Sequence, residues 1–242
     1  MDTTGQSLAG MRQSPPLVHC ITNYVAMNIM ANVLLAAGAS PAMVHAREEV
    51  AEFAGLAQTL SVNIGTLDPA WAEAMVTAAG VMRSHGRPWV LDPVGVGATR
   101  FRQAVCADLL KEGPTVIRGN ASEILALAGA GATGRGADAA DPVEAAEHAA
   151  RDLAQRTGAV VAVSGAIDYV TDGSTAYRIA NGDALMPRVT ALGCSLNGVI
   201  AAFLPGQDAL EATVAALAYY GLAGERAAET AKGPGSFQTA FL

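Results

Sequence analysis

The sequence predicts an α/β fold, with a mostly parallel central sheet and helices on both faces. Three observations predict it. Short apolar runs alternate with stretches of helical period along the chain, the rhythm of parallel strands joined by crossover helices. The run Ala159-Val160-Val161-Ala162-Val163 is almost continuously apolar, as in a strand buried on both faces. Polar and small residues collect just after the strands, where ligands bind in such sheets. Hydrophobic residues make up 51% of 242, enough for one large core. No linker, composition break or internal repeat divides the chain, so residues 1–242 read as one domain.

The elements follow in order. Residues 17–21 form a first strand, and Thr22-Asn23 stands in N-cap position for a helix to about residue 37, which Gly38 closes. A strand over 39–44, a helix over 48–60 and a strand over 60–64 come next. Asp68-Pro69 opens a helix to about residue 85, with proline in the first turn. Residues 88–91 form a strand that runs into Asp92-Pro93-Val94-Gly95-Val96-Gly97-Ala98-Thr99. The second half repeats the pattern: a helix over 104–110, a strand over 115–118, and a helix capped by Asn120 or Ser122 and ending near 127. A Gly, Ala and Asp loop fills 129–141, and Pro142 starts an amphipathic helix to 156. After the strand at 159–163, Asp172-Gly173 marks a hairpin between 168–171 and 174–179. Helices over 195–203 and 208–229, then the tail Lys232-Gly233-Pro234-Gly235-Ser236-Phe237, complete the chain.

Composition excludes several classes. A net charge of −7 with only 15% charged residues and no Lys/Arg block argues against nucleic-acid or anionic-membrane partners. So low a charged fraction also points to a surface partly covered by another subunit. Cys20, Cys106 and Cys194 are odd in number and far apart, which fits neither a disulfide framework nor a CxxC site, and a reducing cytoplasm is the simplest setting. Residues 1–16 lack the apolar segment of a signal peptide, and no apolar run approaches the ~20 residues that span a bilayer. His19 reads as a structural histidine on the first strand. Gly129-Ala130-Gly131-Ala132-Thr133-Gly134 fits GxGxxG but follows a helix, so the dinucleotide context is missing, and there is no GxxxxGK[ST]. If phosphate is held, it is held in another way.

The stretch Thr190-Ala191-Leu192-Gly193-Cys194-Ser195-Leu196-Asn197-Gly198 offers that way. A small, flexible turn opens directly into a helix, whose first amides lack acceptors and attract anions. Cys194 at that mouth is expected to have a lowered pKa. Either this is a phosphoryl-transfer site, with Gly193 and its neighbours holding the moving phosphate, or it is an ordinary turn beside an inert cysteine. The other strand ends favour the former: Asn63-Ile64-Gly65-Thr66, Asp92 with its two glycines, Arg118 to Glu123, and Ser164-Gly165. Asp92 either caps a loop or binds hydrated Mg²⁺. Asn120 and Glu123 either form a capping box or bring Glu123 to the same ion. Arg118 either meets a nucleotide phosphate or pairs with an acidic residue.

Taken together, these stretches are similar to the hydroxyethylthiazole kinase family of the ribokinase-like superfamily. The matching segments are Val18-His19-Cys20-Ile21-Thr22-Asn23, Ala37-Gly38-Ala39-Ser40-Pro41-Ala42-Met43, Val62-Asn63-Ile64-Gly65-Thr66-Leu67, Leu91 to Thr99, Ile117 to Ile124, Val163-Ser164-Gly165, Gly193-Cys194 and Gly233-Pro234-Gly235-Ser236-Phe237. They span nearly the whole chain in order. The resemblance implies a three-layer ribokinase-like fold. It also implies ATP- and Mg²⁺-dependent phosphorylation of 4-methyl-5-(2-hydroxyethyl)thiazole in thiamine salvage, by a cytoplasmic homotrimer with active sites between subunits. It implies that Met43 contacts the thiazole with Asn23 nearby, that Arg118 and Ser164 bind ATP, and that Asp92 and Glu123 serve the metal and phosphate region. Cys194 occupies the place of an aspartate base in ribokinase relatives. One position departs: the family reads Thr-Gly-x-Gly-Cys, and here Ala191 replaces the first glycine. Its Cβ either crowds phosphate or substrate or opposes a positive φ, or the glycine served flexibility alone. The rival readings are a related hydroxymethylpyrimidine-type kinase and a catalytically silent ligand-binding homologue.

Overall fold

The computed structural model describes residues 3–129 and 142–242. Eight strands form one sheet in the order β2-β1-β3-β4-β5-β6-β7-β8. They are β1 (Leu17–Ile21), β2 (Ser40–Ala42), β3 (Thr59–Asn63), β4 (Trp89–Asp92), β5 (Val116–Asn120), β6 (Val160–Ser164), β7 (Asp168–Thr171) and β8 (Ala176–Ile179). The first six run parallel, and the β7–β8 hairpin is antiparallel, as Asp172-Gly173 predicts.

Ten helices are described: α1 (Thr3–Gln13), α2 (Met27–Ala37), α3 (Val50–Leu56), α4 (Pro69–Ser84), α5 (Arg100–Lys111), α6 (Ala121–Ala128), α7 (Pro142–Thr157), α8 (Leu192–Phe203), α9 (Ala209–Thr230) and α10 (Pro234–Phe241). Alternating strand residues face opposite helix layers. Val18, Cys20, Val90, Val116 and Val160 pack with α2, α8 and α9. Leu60, Val62, Trp89 and Leu91 pack with α4 and α5. Ile117, Val161 and Val163 pack with α6 and α7. This is the three-layer arrangement expected. The helix α8 packs closely on α2 at Gly198, where a Cβ would stand 3.2 Å from Leu34 Cδ1 and 3.3 Å from Met30 Cγ.

Several boundaries differ from expectation. The helix after β1 starts at Met27, not at Thr22-Asn23, because the Asn23 side chain first accepts from Ala26 N at 3.0 Å and holds a turn. The strand expected over 39–44 is only three residues, on the sheet edge where Pro41 is tolerated. The helix α3 stops at Leu56, since Ala57 is already extended and Thr59 pairs in β3. The helix α5 begins four residues earlier than expected, at Arg100, capped by Thr99. Two helices were not expected at all, α1 and α10, each anchored by a buried residue: Met11 and Phe237. The GxGxxG segment lies, after Gly129, outside the described residues, as does the loop over 130–141.

The chain passes from β1 outward to β2, then returns to place β3 on the other side of β1. The carboxyl ends of β1 and β3 therefore flank a topological switch point, where crevices form in open α/β sheets.

Candidate active site

Asn23, just past β1, and Asn63, the last residue of β3, face each other across that switch point. Asn23 Nδ2 donates to Asn63 Oδ1 at 2.8 Å and to Cys194 Sγ at 3.3 Å. Asn63 Nδ2 donates to Asp92 Oδ2 at 2.7 Å, across the β3–β4 register that sets these two residues side by side. Both amides are oriented by backbone donors, because Ala26 N claims Asn23 Oδ1 and Gly65 N claims Asn63 Oδ1. Arg118 extends the row: Nη1 lies 3.5 Å from Asp92 Oδ2 and donates to Gly193 O at 3.1 Å, while Nη2 donates to Ser164 Oγ at 2.8 Å. A continuous polar row thus joins Cys194, Asn23, Asn63, Asp92, Arg118 and Ser164 along five strand ends.

Gly65 makes the row possible, since a Cβ there would stand 2.9 Å from Asn23 Nδ2 and 3.0 Å from Asn63 Oδ1. Arg102 braces the loops beneath it, donating to the carbonyls of Ile64, Gly65 and Val94. Glu123 completes a capping box with Asn120 and also accepts from Gly95 N at 3.0 Å. Its carboxylate is therefore engaged by two backbone amides, and the capping alternative holds. Arg118 makes both a structural pair, with Asp92, and an approach to the α8 mouth.

That mouth has an unusual start. Ala191 is the N-cap of α8 at φ +64°, and among the described residues it alone has a positive φ without being glycine. Ser195 N makes the first helical bond, to Ala191 O, so the amides of Leu192, Gly193 and Cys194 have no helical acceptor. Ala191 therefore occupies a glycine-type conformation rather than a merely flexible one. Gly193 is exposed, and a Cβ there would sit 3.4 Å from Arg118 Nη2, narrowing the space beside the guanidinium.

Burial governs the charges. Asp92 is buried and its carboxyl is pushed up to about 7, mainly by loss of water, against the pull of Arg118. Its Oδ1 has no partner. Cys194 departs from expectation: the mouth of a helix favours a low thiol pKa, but here it is raised, first by burial and then by the Asp92 carboxylate. Asp168, on β7, is also raised by burial, though it accepts from Gly165 N at 2.9 Å. His19 is buried and bonded through Nε2 to Val44 O at 2.6 Å, a structural histidine that pins the segment after β2.

A cavity of about 590 Å³ opens at the Arg118 end of the row. Arg118, Ser164 and Gly193 line it with Asp168, the segment at 181–187, and the apolar Leu192, Leu196 and Tyr220. Of the residues expected from sequence, these three share the cavity, while Asn23, Asp92 and Cys194 join them through hydrogen bonds. Ala191 sits at the α8 start and Glu123 at the α6 start. Met43 is half-buried past β2 against the α2-side core, outside both the row and the cavity. Sequence reading placed Asn63 and Gly65 only among strand-end residues, and missed Asp168, the 181–187 wall and the linking part of Asn63. The signal for Asn63 was its place before Gly65 at a strand end. Among the described residues, no group of three or more His, Cys, Asp or Glu side chains is placed to hold a metal.

Comparison with known proteins then adds to the geometry. The sequence model of the hydroxyethylthiazole kinase family matches residues 8–242. A hydroxyethylthiazole kinase from Cereibacter sphaeroides is 64% identical over 242 residues, covering 100% of this chain and 92% of that protein. The solved hydroxyethylthiazole kinase from Pyrococcus horikoshii OT3 superposes with a TM-score of 0.92 at 43% identity, over 100% of this chain and 91% of that one. A ribokinase-like superfamily protein from Enterococcus faecalis, 12% identical with a TM-score of 0.67 over 97% of this chain and 86% of its own, shares the fold.

Proposed function

The chain belongs to the hydroxyethylthiazole kinase family, and on that premise we propose how its strand-end row works. The protein is an ATP-using kinase that phosphorylates the hydroxyl of 4-methyl-5-(2-hydroxyethyl)thiazole in thiamine salvage. The observation that carries the site assignment is the row itself, which brings Cys194, Asp92 and the Arg118–Ser164 pair onto one edge.

In this reading ATP occupies the cavity, with Arg118 and Ser164 on its phosphates. The free amides of Leu192 to Cys194 hold the transferring group, which needs charge stabilisation more than covalent help. Gly193 keeps that space clear, and Ala191 fixes the direction of the amides. The thiazole alcohol lies between Asn23 and Cys194, with Met43 toward the ring. Cys194 takes the hydroxyl proton as its thiolate, a minor form at neutral pH because burial raises the thiol.

Asp92 fits an Mg²⁺ ion: a buried carboxylate with an unpartnered oxygen suits a cation that takes its remaining ligands from phosphate and water. Bound there, Mg²⁺ supplies neutralisation of the phosphate charge. Glu123 bears on the ion indirectly, through the Gly95 loop that follows Asp92.

The working assembly is a homotrimer of one-domain subunits with sites between them. Support comes from Tyr24 and Val25, 63% and 59% exposed directly after Asn23, where a second subunit would cover them. Three unpaired cysteines fit a reducing cytoplasm, and among the described residues no helix is long and apolar enough to cross a membrane.

The test is ADP release with ATP, Mg²⁺ and hydroxyethylthiazole, run beside hydroxymethylpyrimidine and a blank without acceptor. Thiazole-dependent ADP is expected. ADP with the pyrimidine alone would move the protein to the sister activity, and thiazole binding without ADP would mark a silent homologue.

A further inference from the structure

One wall of the cavity is the segment 181–187, and it lies unusually close to α9. Two glycines permit this. A Cβ at Gly221 would stand 2.6 Å from Asn181 Cβ and 2.8 Å from its carbonyl carbon and oxygen, and one at Gly224 would collide with Met186 Sδ. Beside them stands Glu225, half-buried, whose Oε1 accepts from Asn181 Nδ2 at 3.0 Å and from Gly182 N at 3.1 Å. Gly182 has φ +131°, a conformation side chains rarely adopt, so the chain turns at the point where Glu225 grips it. The segment continues through the short 3₁₀ turn Met186–Arg188 to Ala191 and the α8 mouth. It is therefore both a wall of the cavity and the lead into the amides that face the phosphate.

Glu225 lines no part of the cavity, whereas Asn181 and Gly182 do. We propose that Glu225 is a positioning residue for the phosphate donor, holding the 181–187 wall through Asn181 and Gly182. The proposal rests on the reading of this cavity as the nucleotide site. Without the carboxylate, a backbone N–H and a side-chain amide lose a charged acceptor, and a segment built around Gly182 loses its fixed point. The row of Asn23, Asn63 and Asp92 shares no hydrogen bond with this clasp, so the alcohol side is spared. Gly221 supplies the steric half of the same device.

Steady-state kinetics on the full chain, varying ATP and thiazole separately, would be paired with ADP titration by calorimetry without thiazole. Glu225→Ala is expected to raise the KM for ATP and the Kd for ADP roughly tenfold, the loss typical of hydrogen bonds to a charged group. The KM for thiazole stays within about twofold, because neither hydrogen bond of the clasp reaches Asn23, Asn63 or Asp92. Glu225→Gln, which keeps an acceptor oxygen but not the charge, recovers about half of the loss in free energy. Should Glu225→Ala fail to fold, Glu225→Asp, one methylene shorter, gives a smaller shift in the same two constants. An unchanged ADP Kd, or an equal rise in both KM values, overturns the proposal and makes Glu225 a general folding residue. Wild-type protein that binds ADP with this Glu225 dependence but releases none with thiazole upholds the clasp and overturns the kinase reading instead.

Discussion

The two ends of the strand-end row are built differently. At the Asn23–Asn63–Asp92 end every amide atom is committed, each asparagine oriented by a backbone N–H, and both the asparagines and Asp92 are buried. At the Arg118–Ser164 end the same row opens into a cavity of about 590 Å³ with an apolar side and a wall held from behind. In the proposed function the first end is a fixed frame for the small alcohol and the second a vessel for the larger, charged donor. Arg118 belongs to both, since it reaches Asp92, Ser164 and Gly193. A transfer between two substrates needs geometry fixed where bonds change and room where the donor enters. The contrast between the ends meets both needs.

The sharpest way to break the contrast is at Asp92. Asp92→Asn is expected to lower turnover by about 100-fold or more, since the carboxylate charge proposed to hold Mg²⁺ through its unpartnered oxygen is lost. Because burial lifts the Asp92 carboxyl to about 7, wild-type stability should fall as pH rises from the ordinary carboxyl range to that value, and Asp92→Asn should lose this dependence. Turnover lost with the fold kept would mark Asp92 as functional, while a loss of both would make it a structural anchor. Next comes Asn63→Ala, which frees Asn23 and deprives Asp92 of its 2.7 Å donor. It should reduce kcat about tenfold to a hundredfold, in line with ~1–3 kcal/mol for a buried group left unsatisfied, with the KM for ATP nearly unchanged.

A smaller effect separates proton transfer from positioning. The thiol of Cys194 titrates above the ordinary 9.0, so its thiolate fraction, and kcat with it, should keep rising with pH past the ordinary thiol range. Cys194→Ala should lose no more than about tenfold near neutral pH, because phosphoryl transfer leans little on a base, and its pH profile should flatten. An unchanged profile would leave Cys194 a spacer. Smallest is Ala191→Gly. An L-residue in the left-handed region costs ~1–2 kcal/mol, partly offset by ~0.4–1 kcal/mol for the looser unfolded chain of glycine. A gain of about 0.5–1 kcal/mol in denaturant unfolding is therefore expected, with turnover kept.

The same contrast explains what sequence reading reached. The strands, the Asp68 and Asn120 neighbourhoods and the α8 mouth are legible because their signals are local: apolar runs, caps and a small-residue turn. The conflict at Ala191 was legible too, since one missing glycine in a familiar pattern poses a question about φ. The partnership of Asn63 with Asp92 was not, because it depends on the β3–β4 register across 29 residues. The direction of the Cys194 shift was misjudged for a related reason. The helix-mouth rule is local, whereas burial among Asn23, Asn63 and Asp92 is a property of the assembled sheet. The helices α1 and α10 escaped notice because each buries a single residue among those described, Met11 or Phe237, so its apolar period is faint. Glu225 gave no local sign, since its partners lie 43 and 44 residues away.

In the proposed function the fixed frame and the open vessel act as one site joined through Asp92 and Arg118. A double-mutant cycle on thiazole-dependent kcat tests it most directly, using Asn63→Ala, Arg118→Ala and the pair together. If the row is one unit, the double variant should lose far less than the two single losses multiplied, because either change already breaks the line between the ends. Losses that simply multiply would show two independent ends and contradict the account.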